Sequence, residues 1–338
     1  MQRMKRWLRP LLQVLSLALF ALILWWAGPE PWRQILNGDW RALGVAVFIY
    51  GVVGGVSALR LRWVTGSLTD TPLASRRRFY YLNMVARVLG LVLPRGVSAL
   101  GGKSVGLRAL GISLRRSLWI VVMDNVYDVL TLGVAALPAI LYLRQDVAPI
   151  SFGALTAVGW LLLGGAIWVA LRRRWLSPLL KWLATRLPWL SRRLQLDGAS
   201  VDNLLPTARE SMGALLYTLL LNVLLISTYF TIARALDLQA SWWLFAACFP
   251  ITQLSLIIAV APGGLGIFDL GWLGLLRLGG LSQNDALTFV VAQRAYIFVF
   301  VLAWAAVSAL LAMTERKVET SKLSDPEGHG DTPPISNL

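Results

Sequence analysis

Apolar residues in this chain fall in long unbroken runs, not in the one-sided periodicity of a water-soluble helix or strand. Runs of membrane-crossing length occupy about 11–27, 42–59, 117–143, 151–171, 211–233 and 287–312, each near the ~20 residues that carry a helix through a bilayer core. Two further apolar stretches are broken by Pro and Gly. Residues 79–110 break at Leu93-Pro94-Arg95-Gly96, and residues 241–278 break at Ala261-Pro262-Gly263-Gly264. Backbone polar groups must be paired internally in lipid, so helices are the spanning element that such runs permit. The expected fold is an all-α, polytopic membrane helix bundle.

The pattern also repeats. Residues 106–127 set against 275–296, an offset of 169 or half of the 338 residues, give eight identities in 22 positions. Leu107, Arg108, Gly111, Ser113, Leu118, Val121, Val122 and Tyr127 match Leu276, Arg277, Gly280, Ser282, Leu287, Val290, Val291 and Tyr296. Apolar composition supplies Leu and Val matches readily, but not Arg, Gly, Ser and Tyr in the same order. The register also brings Gly102 onto Gly271 and Pro94 within a residue of Pro262. Internal repeats in membrane chains commonly mark transporter folds with a site at the repeat interface.

Charge turns the repeat into a topology. With the N-terminus cytoplasmic, segments 1–10, 60–78, 108–116, 172–210 and 314–338 are inside and hold 23 of the 32 Lys and Arg residues, while the outer loops hold five. That bias follows the positive-inside rule. The remaining four, Arg87, Arg95, Lys103 and Arg294, lie within membrane segments. A full crossing at either broken stretch would place a basic cluster outside, so both are expected to be re-entrant helical hairpins. The alternative is that Pro and Gly only kink ordinary spans. The bundle then has about six full spans plus two hairpins. Its repeat units, about 42–143 and 211–312, have opposite topology within a membrane domain of 1–313, and a disordered cytoplasmic tail covers 314–338.

Hydrophobic residues make up 57% of the chain and charged ones 14%, so soluble classes are excluded. The net charge of +15 reports topology and attraction to anionic headgroups, not nucleic-acid binding. Segment 172–195 interleaves Arg and Lys with Trp and Leu, as an interfacial helix would, or is a basic connecting loop. The first run lacks a small-residue cleavage site and reads as a retained anchor. Cys248 is the only cysteine, inside a membrane segment, and His329 the only histidine, in the tail. Histidine-based chemistry within the membrane is excluded, and neither a metal site nor a cofactor is expected.

The polar residues left inside the membrane are the functional candidates. Asp124, Asn125 and Asp128 lie in one span, with Asp124 and Asp128 at i, i+4 on one face. Gln293 and Arg294 occupy the positions of Asp124 and Asn125 in the second unit. Ionisable groups at this depth face a cavity or one another. Two readings stand: a structural pair of Arg294 with Asp124 or Asp128, and a direct role in gating or coupling. Arg95 follows the first break, with Lys103 about two turns on, and Pro262-Gly263-Gly264-Leu265-Gly266 offers uncovered backbone N–H groups at the second. Half-helix N-termini at both tips, with Arg95, would form an anion site. Close helix packing at the glycines, with Arg95 snorkelling to the surface, is the alternative.

Leu93-Pro94 followed by Gly101-Gly102-Lys103, a span with Asp128, then Ala261-Pro262-Gly263-Gly264-Leu265-Gly266 through Asp269 and a span carrying Arg294 together resemble the lysylphosphatidylglycerol synthase transmembrane-region, or flippase-like, family. The chain departs from the family pattern at Lys103, where an acidic residue is typical, and at Asp269, near which Glu is usual. Only about 25 residues follow the last span, so no aminoacyl-transferase domain is expected. With the charge bias, which puts both termini in the cytoplasm, and the near-absence of His and Cys, which disfavours catalysis, the resemblance leads to the expectation of a non-enzymatic, multi-pass protein of the bacterial inner membrane. It would translocate a phospholipid or lipid-linked substrate with an anionic phosphate headgroup. Arg95, Gly101, Gly102, Lys103, Pro262, Gly263, Gly264 and Gly266 would bind the phosphate, and Asp124, Asn125, Asp128, Asp269, Gln293 and Arg294 would gate or couple. The alternatives are a non-transporting partner of an envelope-biosynthesis glycosyltransferase or lipid synthase and, third, an intramembrane lipid-modifying enzyme.

Overall fold

The computed structural model describes residues 25, 28–69, 72–93, 97–172, 206–258 and 264–324. Among them are ten α-helices, one π-helical turn and no strand. In chain order these are α1 (Glu30–Leu36), α2 (Trp40–Leu68), α3 (Arg76–Val92), the π-turn Ser98–Gly102 running into α4 (Lys103–Ala109), α5 (Leu114–Leu143), α6 (Pro149–Arg172), α7 (Ala208–Ala235), α8 (Trp242–Ile258), α9 (Ile267–Leu278) and α10 (Gln283–Ser324). Five stretches, 40–68, 114–143, 149–171, 208–235 and 283–315, are long and apolar enough to cross a membrane. They contain five of the six expected runs. The sixth, 11–27, apart from Trp25, and the basic segment 173–195 lie outside the described residues.

Helix starts follow the polar residues between runs. Asp39 accepts from the Arg41 backbone N–H at 2.9 Å, and Ser75 and Ser113 do the same for Arg78 and Arg116. Thr207 and Glu210 cap α7 reciprocally. Such side chains satisfy first-turn N–H groups that have no partner within the helix. The α10 backbone stays helical through Ser324. The tail expected to be disordered from 314 is therefore helical for its first eleven residues, because Pro or Gly is absent from 314–324.

Hydrogen bonds between spans fix their directions. α2 and α7 are antiparallel: the Asp39 N–H donates to the Ala235 carbonyl, Arg60 meets Thr218 midway, and the Trp63 indole donates to the Glu210 carbonyl. α5 runs parallel to α7, through Tyr127 to Ser211 and Asn222 to Thr131. α10 runs parallel to α2, through Tyr296 to the Ile35 carbonyl and Trp304 to the Val47 carbonyl.

The two broken stretches are hairpins of short helices. α3 and α8, of 17 residues each, are about 26 Å long at 1.5 Å per residue, short of the ~30 Å hydrocarbon core. A methyl on Gly106 of α4 would meet Leu82 of α3 at 2.5 Å, and Gly102 abuts Ala86 and Leu89. Close approach of this kind is the usual work of small residues between membrane helices. In the second hairpin Gly264 and Gly271 face Leu256 and Thr252 of α8. Each hairpin's first helix also packs on a span distant from it in sequence, α3 on α10 and α8 on α5.

The apolar core is in two parts. One is built around the first hairpin by Leu61, Phe79, Leu107, Ile120 and Leu215. The other is built around the second by Phe245, Phe249, Trp272, Phe289 and Ile232. Cys248 is buried in the latter as a free thiol.

Candidate functional site

Beside the second apolar part lies a cavity of about 790 Å³, to which α2, α3, α4, α5, α7, α8 and α10 all contribute. Its charged lining is Arg60, Arg87, Lys103, Asp128 and Arg294.

The largest ionic group centres on Arg60 of α2. Its Nε donates to Asp124 Oδ1 at 2.8 Å, its Nη1 to Asp128 Oδ1 and to Thr218 Oγ1, and its Nη2 to Asp128 Oδ2 at 3.0 Å. The other Asp124 oxygen accepts from Lys103 Nζ at 2.8 Å. The Asp124 side chain is 0% exposed, Arg60 3%, Lys103 13% and Asp128 30%. Two cations and two carboxylates cancel, which is the condition under which ionic groups persist away from water. The i, i+4 spacing of Asp124 and Asp128 presents both to Arg60 from one face of α5.

A second pair stands at the other hairpin. Arg294 Nε donates to Asp269 Oδ1 at 2.6 Å, and its guanidinium lies 4.9 Å from the Phe268 ring centroid. Asp269, fully buried, also accepts from the Gly266 backbone N–H at 3.0 Å through Oδ2. The carboxylate thus caps the α9 N-terminus that would otherwise attract an external anion. Gly266, at φ 84° and ψ −69°, holds a backbone conformation available essentially to glycine alone.

Arg87 of α3 differs from both. Its Nη1 donates to Tyr50 Oη at 3.1 Å, and its guanidinium lies 5.3 Å from the same ring. Beside it Ser57 donates to Asn83 Oδ1, and Asn83 Nδ2 donates to the Gly54 carbonyl. Gln293 is buried and lines the cavity, with Nε2 unpartnered among the described residues.

The structure brings Lys103, Asn125, Asp128, Gln293 and Arg294 to one cavity, with Asp124 and Asp269 bonded directly behind them. The pairing of Arg294 with Asp124 or Asp128 expected from the sequence is not formed. Arg60 and Lys103 take those aspartates, and Arg294 takes Asp269 from the hairpin beside it. Lys103 accordingly points its charge at Asp124. Asn125 donates to the Val121 carbonyl of its own helix. Gly102 packs on α3, a methyl on Gly101 would meet nothing within 4 Å, and Gly264 abuts Leu256. Arg95, Pro262 and Gly263 lie outside the described residues.

Sequence reasoning missed Arg60 and Arg87. Arg60 was counted with a cytoplasmic loop beginning at 60, whereas α2 continues to Leu68 and buries it. The signal was the absence of any Pro between 59 and 68, the next being Pro72. Arg87 stands four residues after Asn83, which places both on one face of an otherwise apolar helix.

The family model for the lysylphosphatidylglycerol synthase TM region matches residues 13–305 of the 338. The chain belongs to that family. The match spans every residue lining the cavity and both hairpins. It agrees with a membrane-embedded protein in the biosynthesis or translocation of such lipids. No curated relative matches the chain.

Proposed function

We propose that this member of the lysylphosphatidylglycerol synthase TM family is a lipid translocator of the bacterial inner membrane. It moves a lipid with an anionic phosphate headgroup between leaflets without chemically altering it. The observation that carries the reading is the cavity itself. Its roughly 790 Å³ is enough for a phospholipid headgroup, and it opens among membrane helices yet is lined, among the described residues, by four cations. Polar groups at this depth are costly, and a passage for a polar headgroup is a reason to hold them there. Lipid tails would remain in the bilayer beside the hairpins.

The antiparallel α2 and α7, the reversed directions of α5 and α10, and the reciprocal packing of α3 on α10 and α8 on α5 support an inverted repeat. That arrangement allows one unit to rock against the other around a central site. The basic-residue bias supports cytoplasmic termini, and counting Arg60 as buried leaves 22 of 32 inside.

The test is translocation of labelled phosphatidylglycerol in proteoliposomes, comparing wild type with Asn125→Trp, which fills the cavity from α5. Wild type should carry label between leaflets and the folded variant should not. Equal rates in the two would remove the cavity from the path. Binding of lipid by wild type with no transport would favour a non-transporting partner of an envelope-biosynthesis enzyme.

A further inference from the structure

We infer that the cavity selects a lipid whose headgroup carries one net negative charge, and that Arg87 is the residue that holds that charge. The inference rests on the lipid-binding reading above and adds a specificity and an anchoring group to it.

The argument is a charge balance. Arg60 and Lys103 are matched by Asp124 and Asp128. Arg294 is matched by Asp269. Among the described residues Arg87 hydrogen-bonds the Tyr50 hydroxyl, lies over its ring and has Tyr80 within electrostatic reach, all neutral groups, although it lines the same cavity. Counted over the described residues, the site therefore carries one positive charge in excess. A guanidinium in this setting favours an anion that replaces the water it would otherwise need, and its fork of N–H groups suits two phosphate oxygens. Tyr50 Oη already accepts from Arg87, so its own proton is free to donate outward. Gln293 Nε2, buried and unpartnered among the described residues, is a further donor on the cavity wall.

The same balance rejects other headgroups. A zwitterionic headgroup brings a cation, yet each carboxylate at the cavity already faces a cation of the protein, so its amine would enter without a counter-charge. A phosphomonoester, which carries about 1.5 to 2 negative charges, would leave part of its charge unmatched. A phosphodiester with a neutral alcohol, such as phosphatidylglycerol, matches the site.

The experiment uses the full-length protein, purified from mixed vesicles containing equal amounts of phosphatidylglycerol, phosphatidylethanolamine and phosphatidic acid, with retained lipid read by native mass spectrometry. Phosphatidylglycerol should be retained about tenfold over phosphatidylethanolamine, the discrimination of one matched charge, and should also exceed phosphatidic acid. Arg87→Gln should bring the first ratio close to one, and Arg87→Lys should keep part of it. Arg144→Gln, on an exposed loop, should leave it unchanged. Equal retention of all three lipids by wild type would overturn the inference, as would undiminished selectivity in folded Arg87→Gln. The wild-type competition stands without the variants, should they fail to fold. Selective retention with no translocation in proteoliposomes would keep this inference and sink the transport reading, and the opposite pair of results would do the reverse.

Discussion

The two hairpins solve one problem with opposite polarity. In the first, the hairpin supplies the cation and the following span the carboxylate, Lys103 to Asp124 at 2.8 Å. In the second, the hairpin supplies the carboxylate and the following span the cation, Asp269 to Arg294 at 2.6 Å. Both carboxylates are 0% exposed, and both cations face the cavity at 13% and 22%. The sites diverge in what else the carboxylate must do. Asp269 caps α9 through Gly266, so one hydrogen-bonding oxygen is left and one cation suffices. Asp124 has no backbone partner among the described residues, so it takes a second cation, Arg60, and Arg60 in turn needs Asp128. A cluster of four charges and a simple pair thus follow from whether the carboxylate also closes a helix end.

Breaking the larger cluster should have the largest effect. Arg60→Met strands Asp128 and leaves Asp124 with Lys103 alone, and should cost about 3–5 kcal/mol of stability, as for a buried pair that loses one member. Adding Asp128→Asn should recover part of that loss in thermal unfolding in detergent. No recovery would mean that Arg60 is held by packing and not by the carboxylates.

Arg294→Met should cost less, about 2 kcal/mol, because one charged hydrogen bond is lost at a half-wet site. Asp269→Asn keeps the Gly266 cap, so Arg294→Met with Asp269→Asn should be more stable than Arg294→Met alone. Strict additivity in this cycle would show the pair to be uncoupled.

Glycines sharpen the contrast. Gly266→Ala places a side chain at φ 84° and should cost about 1–3 kcal/mol. Gly101→Ala meets nothing within 4 Å and should be neutral or stabilising by up to about 1 kcal/mol. Similar melting temperatures for the two variants would put the strained turn only in the second hairpin's backbone and not in its stability.

The smallest effect is expected where the first hairpin meets α10. Ser75 caps α3 and donates to Glu315 Oε2 at 2.8 Å. Ser75→Ala should lose about 1 kcal/mol, whereas Glu315→Gln, which leaves the cap, should lose less. A larger loss from Glu315→Gln would assign the strength of this contact to α10 and not to the cap.

Fold class was legible because the bilayer acts on every residue of a span alike. A run of apolar residues needs no partner to be recognised, and Pro94 and Pro262 mark breaks by chemistry local to them. The same locality exposed Asp124, Asp128, Asp269 and Arg294 as costly, and so as candidates. It could not say who meets whom. Arg60, near the end of an apolar run, looked like a loop residue until α2 was seen to continue and α5 and α7 to pack around it. The partner of Arg294 was sought in another span, whereas the chain provides it from the adjoining hairpin. Sequence alone determined a membrane-embedded helical bundle, its broken stretches and the short list of buried charges, because each is a cost that one residue incurs against lipid. Tertiary structure decided the pairing of those charges, Arg60 and Lys103 with Asp124 and Asp128, and Arg294 with Asp269. A Coulomb interaction depends on the few ångströms between side chains that helix packing brings together from distant parts of the chain.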